Sequence, residues 1–169
     1  MTTTVGLTTH ASTVNAPAAN TTVLSQFTAG ANANINRGFV YGTGTVDSTT
    51  KFKVVIYSDN GSNLPNALLA TSDEYVGWTN GSWMSVVFQT PLAVTNGTKY
   101  WIGHIIDTQK NHGCEVNAGY TYKYKSTTYS SGPVTPFSSP SNGTLYQWSV
   151  YVDDGGPVLT GKPIMCACT

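Results

Sequence analysis

The sequence predicts an all-β protein: a single jelly-roll β-sandwich of about eight antiparallel strands with an extended N-terminal arm. Three observations predict this class. Residues 51–106 are dense in Val, Ile, Tyr, Phe and Trp, which is typical of β-strands. Asn-Gly and Pro interrupt these runs, as is usual between the strands of an antiparallel sheet. No helical hydrophobic stripe is found along the chain.

The strands are predicted where apolar and polar residues alternate, or where a short run is apolar throughout. In chain order they are 22–29, 35–42, 51–58, 67–76, 82–90, 98–107, 119–125 and 144–152. In the last of them Tyr146, Trp148, Val150 and Val152 share one face. The runs 53–57 and 84–88 carry apolar residues on both faces, as expected of strands at the centre of a packed sheet.

The chain divides into an arm (residues 1–21), a jelly-roll β-sandwich (22–153) and a C-terminal tail (154–169). The arm is rich in Thr, Ala and Asn, so its backbone is ordered only if its hydrogen bonds find partners. We therefore expect an assembly arm that lies along its own sheet or on a neighbouring subunit. Its isolated apolar residues, the candidate assembly contacts, are Val5, Leu7 and Val14.

Composition excludes several classes of protein. Charged residues make up only 9% of the chain, against roughly 25% in typical soluble proteins. The eight Lys and Arg balance the eight Asp and Glu, so no nucleic-acid partner is expected. No apolar run is long enough to span a bilayer, and the first residues lack the pattern of a signal peptide. The low charge favours an extracellular or virion-surface location, where neighbouring copies cover much of the surface.

The segment from Lys51 to His104 resembles a known module. VVIYSDNGSNLPNALLATSDEY and then WMSVVFQTPLAVTNGTKYWIGH are similar to a galactose-binding-like, jelly-roll β-sandwich module of bacterial surface and phage structural proteins. The resemblance implies a structural, adhesive or glycan-contacting role without catalysis. Residues 1–21 and 153–169 lie outside it.

The reactive side chains form no recognisable catalytic set. His112 and Cys114 are the pair best placed for thiol chemistry, but no orienting partner accompanies them, and an exposed loop is the plainer interpretation. Asp73 and Glu74 are adjacent in a predicted strand and therefore point to opposite faces, unlike the facing carboxylates of a glycosidase. We expect no enzymatic activity.

The candidate metal ligands are sparse. Asp153 and Asp154 close the last predicted strand and are candidates for Ca²⁺, although a charged turn explains them more simply. The cysteines are Cys114, Cys166 and Cys168. Their odd number does not suit a disulfide framework, and a zinc site needs further ligands. We expect ordinary buried or terminal thiols and no cofactor.

Aromatic residues indicate a second type of contact, because aromatic faces stack against the apolar faces of sugar rings. Trp83, Trp101 and Trp148 lie within strand patterns and are expected in the core. The candidates for exposure and glycan contact are Trp78, Tyr120, Tyr122 and Tyr124. A tyrosine face covered by a neighbouring subunit explains the last three equally well.

Five Asn-X-Ser/Thr sequons are candidates for glycosylation: Asn20, Asn60, Asn80, Asn96 and Asn142. All except Asn20 precede Gly. Because Asn-Gly is the preferred dipeptide of tight hairpin turns, turn formation also accounts for most of them.

Two functions are therefore predicted. The first is a structural, self-assembling subunit of an extracellular filament or phage particle. Its arm would bind a neighbouring copy, and such head-to-tail contacts can propagate. The alternative is a non-catalytic carbohydrate-binding or adhesion module.

Overall fold

The computed structural model describes residues 2–10 and 13–155. They form twelve β-strands and one short 3-10 helix at Tyr129–Ser131. The strands are β1 (Thr4–Gly6), β2 (Thr13–Asn15), β3 (Thr21–Thr28), β4 (Ala33–Thr43), β5 (Asp47–Asp59), β6 (Pro65–Thr71), β7 (Tyr75–Trp78), β8 (Ser82–Val94), β9 (Lys99–Ile106), β10 (Asn111–Ser126), β11 (Ser141–Trp148) and β12 (Val150–Asp153). Their pairings are antiparallel. The predicted all-β, antiparallel class is confirmed.

The predicted number of about eight strands is wrong, because two strands lie in the arm and two predicted strands are each divided. The first division falls at Ser72, whose hydroxyl takes the place of a ladder acceptor and binds the Val54 amide at 2.9 Å. The second falls at Ser149, where the chain changes neighbours. The Ser149 amide donates to Gly113 of β10, and its carbonyl accepts from Tyr41 of β4. Side-chain alternation does not reveal either change.

The strands follow the order β1-β12-β4-β10-β3-β9-β5-β6, with β8 also paired to β4, β2 and β11 to β10, and β7 to β5. Strands that are not paired also come close together: β1 approaches β3, β12 approaches β9, and β8 approaches β6. The sheet therefore bends back on itself and encloses a core. Within the described residues there is no helix long and apolar enough to cross a membrane.

The main core lies between the facing parts of the sheet. It contains Trp148, Val150 and Val152, as their shared face predicts, together with Val54 and Ile102. A second cluster covers the opposite face of β3, β5 and β9 and includes Phe137 from the loop between β10 and β11. The run 53–57 is accordingly buried on both faces, as predicted.

The run 84–88 does not follow its prediction. Met84, Val86 and Phe88 are buried, but Ser85 is exposed and Val87 is 49% exposed. Trp83, which the strand pattern placed in the core, is only half-buried on the same outer face. The two runs differ because the loop between β10 and β11 covers the outer face of β5, whereas the outer face of β8 is exposed at Ser85 and Val87. An apolar run by itself does not show which strand a loop will cover.

Candidate functional site

The arm lies along its own sheet. In β1 the residues Thr4, Val5 and Gly6 pair with the last strand, β12, and the amide of Leu7 donates to the carbonyl of Val150 at 2.9 Å. Val5 is 2% exposed and belongs to the main core. The arm thus fills a place at the edge of the sheet and contributes to its hydrophobic core.

Gly6 shows how closely the arm approaches β12. Its φ is +128°, and a Cβ added there would lie 2.5 Å from the Cα of Tyr151 and the carbonyl oxygen of Val150. Both are backbone atoms, so neither can move aside easily. A residue without a side chain is required at this position, for both conformational and steric reasons.

Further contacts hold other described parts of the arm. The ring of His10 stacks on Tyr41 with centroids 4.1 Å apart, and the hydroxyl of Thr9 donates to Glu115 at 2.7 Å. Strand β2 pairs with residues 112–114 of β10. Beyond β2, Pro17 is buried. The described residues of the arm are therefore held to the sheet at several separate points.

The predicted assembly residues differ in exposure. Val5 is buried, Leu7 is half-buried, and Val14 is 47% exposed. Only Val5 inserts into the main core. The sequence indicates all three as contacts because they are the isolated apolar residues of a polar segment. It does not indicate which of them is buried.

The two aspartates at the end of β12 bind other parts of the protein. Both carboxylate oxygens of Asp153 accept hydrogen bonds from Arg37, at 2.9 and 3.0 Å, and Asp153 is 5% exposed. The Asp154 carboxylate accepts from the Thr3 amide at 3.1 Å, so it holds the beginning of the arm. In the described part of the chain, no group of three or more His, Cys, Asp or Glu residues is arranged to hold a metal ion.

A pocket of about 230 Å³ lies beneath the arm. We call it the tyrosine pocket. Its walls are arm residues 15–18, Thr21 and Val23 of β3, Tyr122, Tyr124 and Ser126 of β10, and Trp148 of β11. The rings of Tyr122 and Trp148 meet nearly at right angles, at 83°, with centroids 5.3 Å apart. Tyr124 lies 5.8 Å from Tyr122.

The tyrosine pocket is electrically neutral, since no Lys, Arg, Asp or Glu lines it. The indole N–H of Trp148 is buried and has no hydrogen-bond partner among the described residues. Burial is the main cause that raises the pKa of Tyr122, with smaller effects of Tyr124, Tyr146 and Cys114. The tyrosine pocket therefore offers the half-buried side chains of Tyr122 and Tyr124, with Ser126 exposed at its edge, while Trp148 is 1% exposed and closes it from behind.

Two of the predicted glycan contacts thus come together and two do not. Tyr122 and Tyr124 both line the pocket. Tyr120 lies outside it, and its hydroxyl donates to Glu115 at 3.3 Å. The expectation that Trp78 is exposed is wrong: it is 1% exposed, and its indole N–H donates to the Thr43 carbonyl at 3.0 Å. Asp47 and Trp78 pair across β5 and β7, so Trp78 lies in a strand that carries its side chain into the core.

A pair of buried histidines is the feature that sequence reasoning missed. His104 and His112 are each 1% exposed, and their rings stack with centroids 4.2 Å apart. Nδ1 of His112 donates to the Lys110 carbonyl at 2.8 Å, which fixes the neutral tautomer. The other three ring nitrogens of the pair have no partner among the described residues. The only sequence signal is the position of His104 inside an apolar strand.

Burial lowers the pKa of both imidazoles. That of His104 falls to about 3 because of desolvation. The pKa of His112 falls well below its usual value, first through desolvation and then through His104. The prediction that His112 lies in an exposed loop is wrong, because β10 begins at Asn111 and turns the residue inward.

Cys114 does not present a reactive thiol. It is buried in the main core, and burial raises the pKa of its thiol to about 11. Its S–H points to the Thr13 carbonyl at 3.7 Å. Cys166 and Cys168 lie outside the described residues.

The asparagines of the five sequons are all exposed. Three of the four Asn-Gly pairs have glycine at positive φ, namely Gly61, Gly81 and Gly97, as turns of this kind require. The turn interpretation is wrong for Asn142, which lies within β11 opposite Lys123. Asn20 itself adopts a φ of 56° and accepts from the Tyr129 amide.

Comparisons with known proteins give no family to which the chain can be assigned. No model of a protein family matches it, and no curated protein is significantly similar to it.

Proposed function

We propose that this protein is a structural subunit of an extracellular filament or phage particle, with a jelly-roll sandwich as its body, and that copies are joined by exchange of N-terminal arms. The observation that carries the proposal is the insertion of Val5 into the core from a mostly polar segment. A buried anchor of this kind is what a connecting arm needs, since it gives the contact affinity and register.

The docking site on β12 suits an exchanged strand. Strand β1 is outermost in the strand order and contributes three residues to the ladder. Its backbone bonds and the space for Val5 belong to β12 and the core, so the same contacts are available to the arm of a neighbouring copy. Addition of a strand to a sheet edge is a common mode of recognition.

The geometry of such a contact favours extended assemblies. Each copy would donate residues 2–10 from one surface and accept the equivalent residues at β12. This contact joins unlike surfaces, so it propagates into a ring or a filament. The low charge of the chain, 9%, fits a surface that neighbouring copies cover.

Electron microscopy of the purified protein tests the proposal, beside a variant that lacks residues 1–20 and the variant Leu7→Asp. We expect ordered filaments or rings from the full chain and none from the truncated protein. Leu7→Asp should weaken assembly and leave the domain folded. Assembly that survives both changes would show that the arm is not the connector.

A carbohydrate-binding module is the second candidate function, favoured by the tyrosine pocket. It predicts glycan-array binding by the monomeric protein that is lost on Tyr122→Ala. The matched control is Tyr120→Ala, which removes a tyrosine of the same strand that does not line the pocket. Absence of binding by well-folded monomer would count against this function without affecting the arm proposal.

A further inference from the structure

We propose that the start of β10 opens locally in acid: once His112 binds a proton, residues 111–113 separate from β2 and β4, and the other strands stay paired. Because β2 belongs to the arm, this opening releases one of the points that hold the arm to the sheet. The opening does not depend on exchange of arms between copies, so it goes beyond the proposed function.

His112 lies in an aromatic cage that suits only its neutral form. Its ring stacks on His104 with centroids 4.2 Å apart and meets Trp78 and Trp148 nearly edge-on, at 4.5 and 5.9 Å. All four side chains are buried, so solvent does not reach the ring. Nε2 of His112, where the proton would go, has no partner among the described residues. An ionised group buried without a partner is costly, and burial accordingly lowers the pKa of His112, with His104 as a smaller cause.

The ionisable groups inside the cage are neutral. Burial lowers the pKa of His104 to about 3, so this ring carries no charge, and Val23 and Val54 flank it in the ladder. Cys114 lies two residues beyond His112 on the same face of β10. Its pKa is raised to about 11 by burial, so it keeps its proton. These groups supply no counter-charge for an imidazolium.

The charged groups close by in the chain are already engaged. The carbonyl of Lys110 accepts from His112 at 2.8 Å, and its ammonium group pairs with the Asp47 carboxylate at 2.7 Å. Glu115 is three residues along β10 and therefore points to the opposite face, where it accepts from Thr9 of the arm. A protonated His112 is thus stabilised only when its ring reaches solvent, which requires the strand to open.

The start of β10 can reach solvent because short ladders hold it. Strand β2 contributes three pairs, to residues 112–114, and β4 contributes two, at Asn111 and His112. One further bond joins the Ser149 amide to the Gly113 carbonyl at 3.0 Å. Local opening breaks only these contacts, and such openings cost less than unfolding of the whole protein.

His104 is held more firmly than His112. It lies inside the eight-residue strand β9, which pairs along most of its length with both β3 and β5. His104 therefore stays buried when the start of β10 opens. Local opening exposes one imidazole of the pair, whereas unfolding of the whole domain exposes both. This difference gives the two events different dependences on pH.

The thiol of Cys114 reports the opening. Its Sγ lies 3.7 Å from the Thr13 carbonyl of β2, so departure of β2 uncovers it. The test labels the variant Cys166→Ala/Cys168→Ala, in which Cys114 is the remaining thiol, with 2,2′-dithiodipyridine, a reagent that reacts with thiols in acid. The labelling rate is divided by that of the urea-unfolded chain at the same pH, and this ratio measures how often the site is open. We expect the ratio to rise about tenfold per pH unit between about pH 6 and pH 5, because one proton is bound.

Two further variants assign this rise to one imidazole. His112→Asn keeps an amide that can donate to the Lys110 carbonyl but does not titrate, so the labelling ratio should become independent of pH. His104→Phe keeps a ring against His112 and should retain the tenfold rise. A rise that survives in His112→Asn, or that is lost in His104→Phe, would overturn the assignment to His112.

Hydrogen exchange of the wild-type protein is a second readout that needs no substitution. After correction for intrinsic rates, the amides of residues 111–113 should be less protected at pH 5 than at pH 6 and should exchange well before those of β9. Simultaneous loss of protection in β9, or a labelling ratio that rises about a hundredfold per pH unit, would mean that the whole domain unfolds. A labelling ratio that does not change with pH would show that protonation does not open the strand. Either result overturns the proposal, and neither depends on assembly.

Discussion

Acidification from pH 7 to about pH 4.5 is expected to destabilise this protein strongly, through His104 and His112. The unfolded chain binds a proton on each imidazole near the ordinary pKa of 6.5. The folded protein does not, because burial lowers both values. Below pH 6.5 the unfolded state therefore binds more protons, and the free energy of unfolding falls by about 1.4 kcal/mol per pH unit for each imidazole.

Urea unfolding at a series of pH values measures this effect. The double variant His104→Leu/His112→Leu should lose most of the dependence between about pH 6.5 and pH 4.5, a range that lies above the titration of ordinary carboxylates. His10→Asn is the matched control, since His10 is exposed and its loss should leave the dependence intact. A wild-type stability that is flat over this range would contradict the burial of the pair.

Replacement of Val5 by Asp is expected to abolish assembly. The change places a carboxylate in the main core, and an unpaired buried charge costs about 3–5 kcal/mol. Because β1 is an outermost, three-residue strand, the arm should leave its site while the rest of the domain stays folded. Each 1.4 kcal/mol changes the ratio of docked to released arms by about a factor of ten. A cost of about 3–5 kcal/mol should therefore make the docked arm rare.

The matched control is Val14→Asp, which makes the same substitution in the same segment at a residue that is 47% exposed. Sedimentation velocity should show monomers for Val5→Asp and wild-type assemblies for Val14→Asp. Limited proteolysis should cut the arm only in Val5→Asp. Equal assembly by the two variants would mean that the buried anchor does not join the subunits.

The sequence predicts the strands well where side-chain chemistry is local. Alternation places Trp148, Val150 and Val152 on a buried face. The run 53–57, with apolar residues on both faces, predicts burial on both sides, and its residues 54–57 are buried. The sequence does not predict which strand faces are covered by segments that are distant in the chain. Phe137 comes from a long loop to seal one face of β5, whereas the outer face of β8 stays open at Val87.

The candidate site shows the same division. The alternation of Tyr122 and Tyr124 could be read from sequence, but the pocket also needs Trp148 and arm residues, which long-range pairing brings together. Trp78 was misassigned because an Asn-Gly pair close by suggests an exposed turn, while the strand pairing of β7 turns the ring inward. His104 lies in β9 and His112 in β10, which follow each other in the chain but are separated by β3 in the sheet. The stacking of their rings therefore depends on how the sheet bends and could not be predicted from sequence.

Cross-linking between the arm and β12 tests the central proposal of arm exchange most directly. Val5 and Val152 are directly opposed in the ladder, and the Cα atoms of opposed residues in an antiparallel pair lie about 4.5–5.5 Å apart, which is within the range of a disulfide. The variant Val5→Cys/Val152→Cys, with Cys114, Cys166 and Cys168 replaced by Ala, would be oxidised under assembly conditions and separated on a denaturing gel. Arm exchange predicts a ladder of covalently linked chains, and a mixture of the two single variants should give linked dimers. Monomers with only an internal cross-link would show that each arm stays on its own subunit and would contradict the proposal.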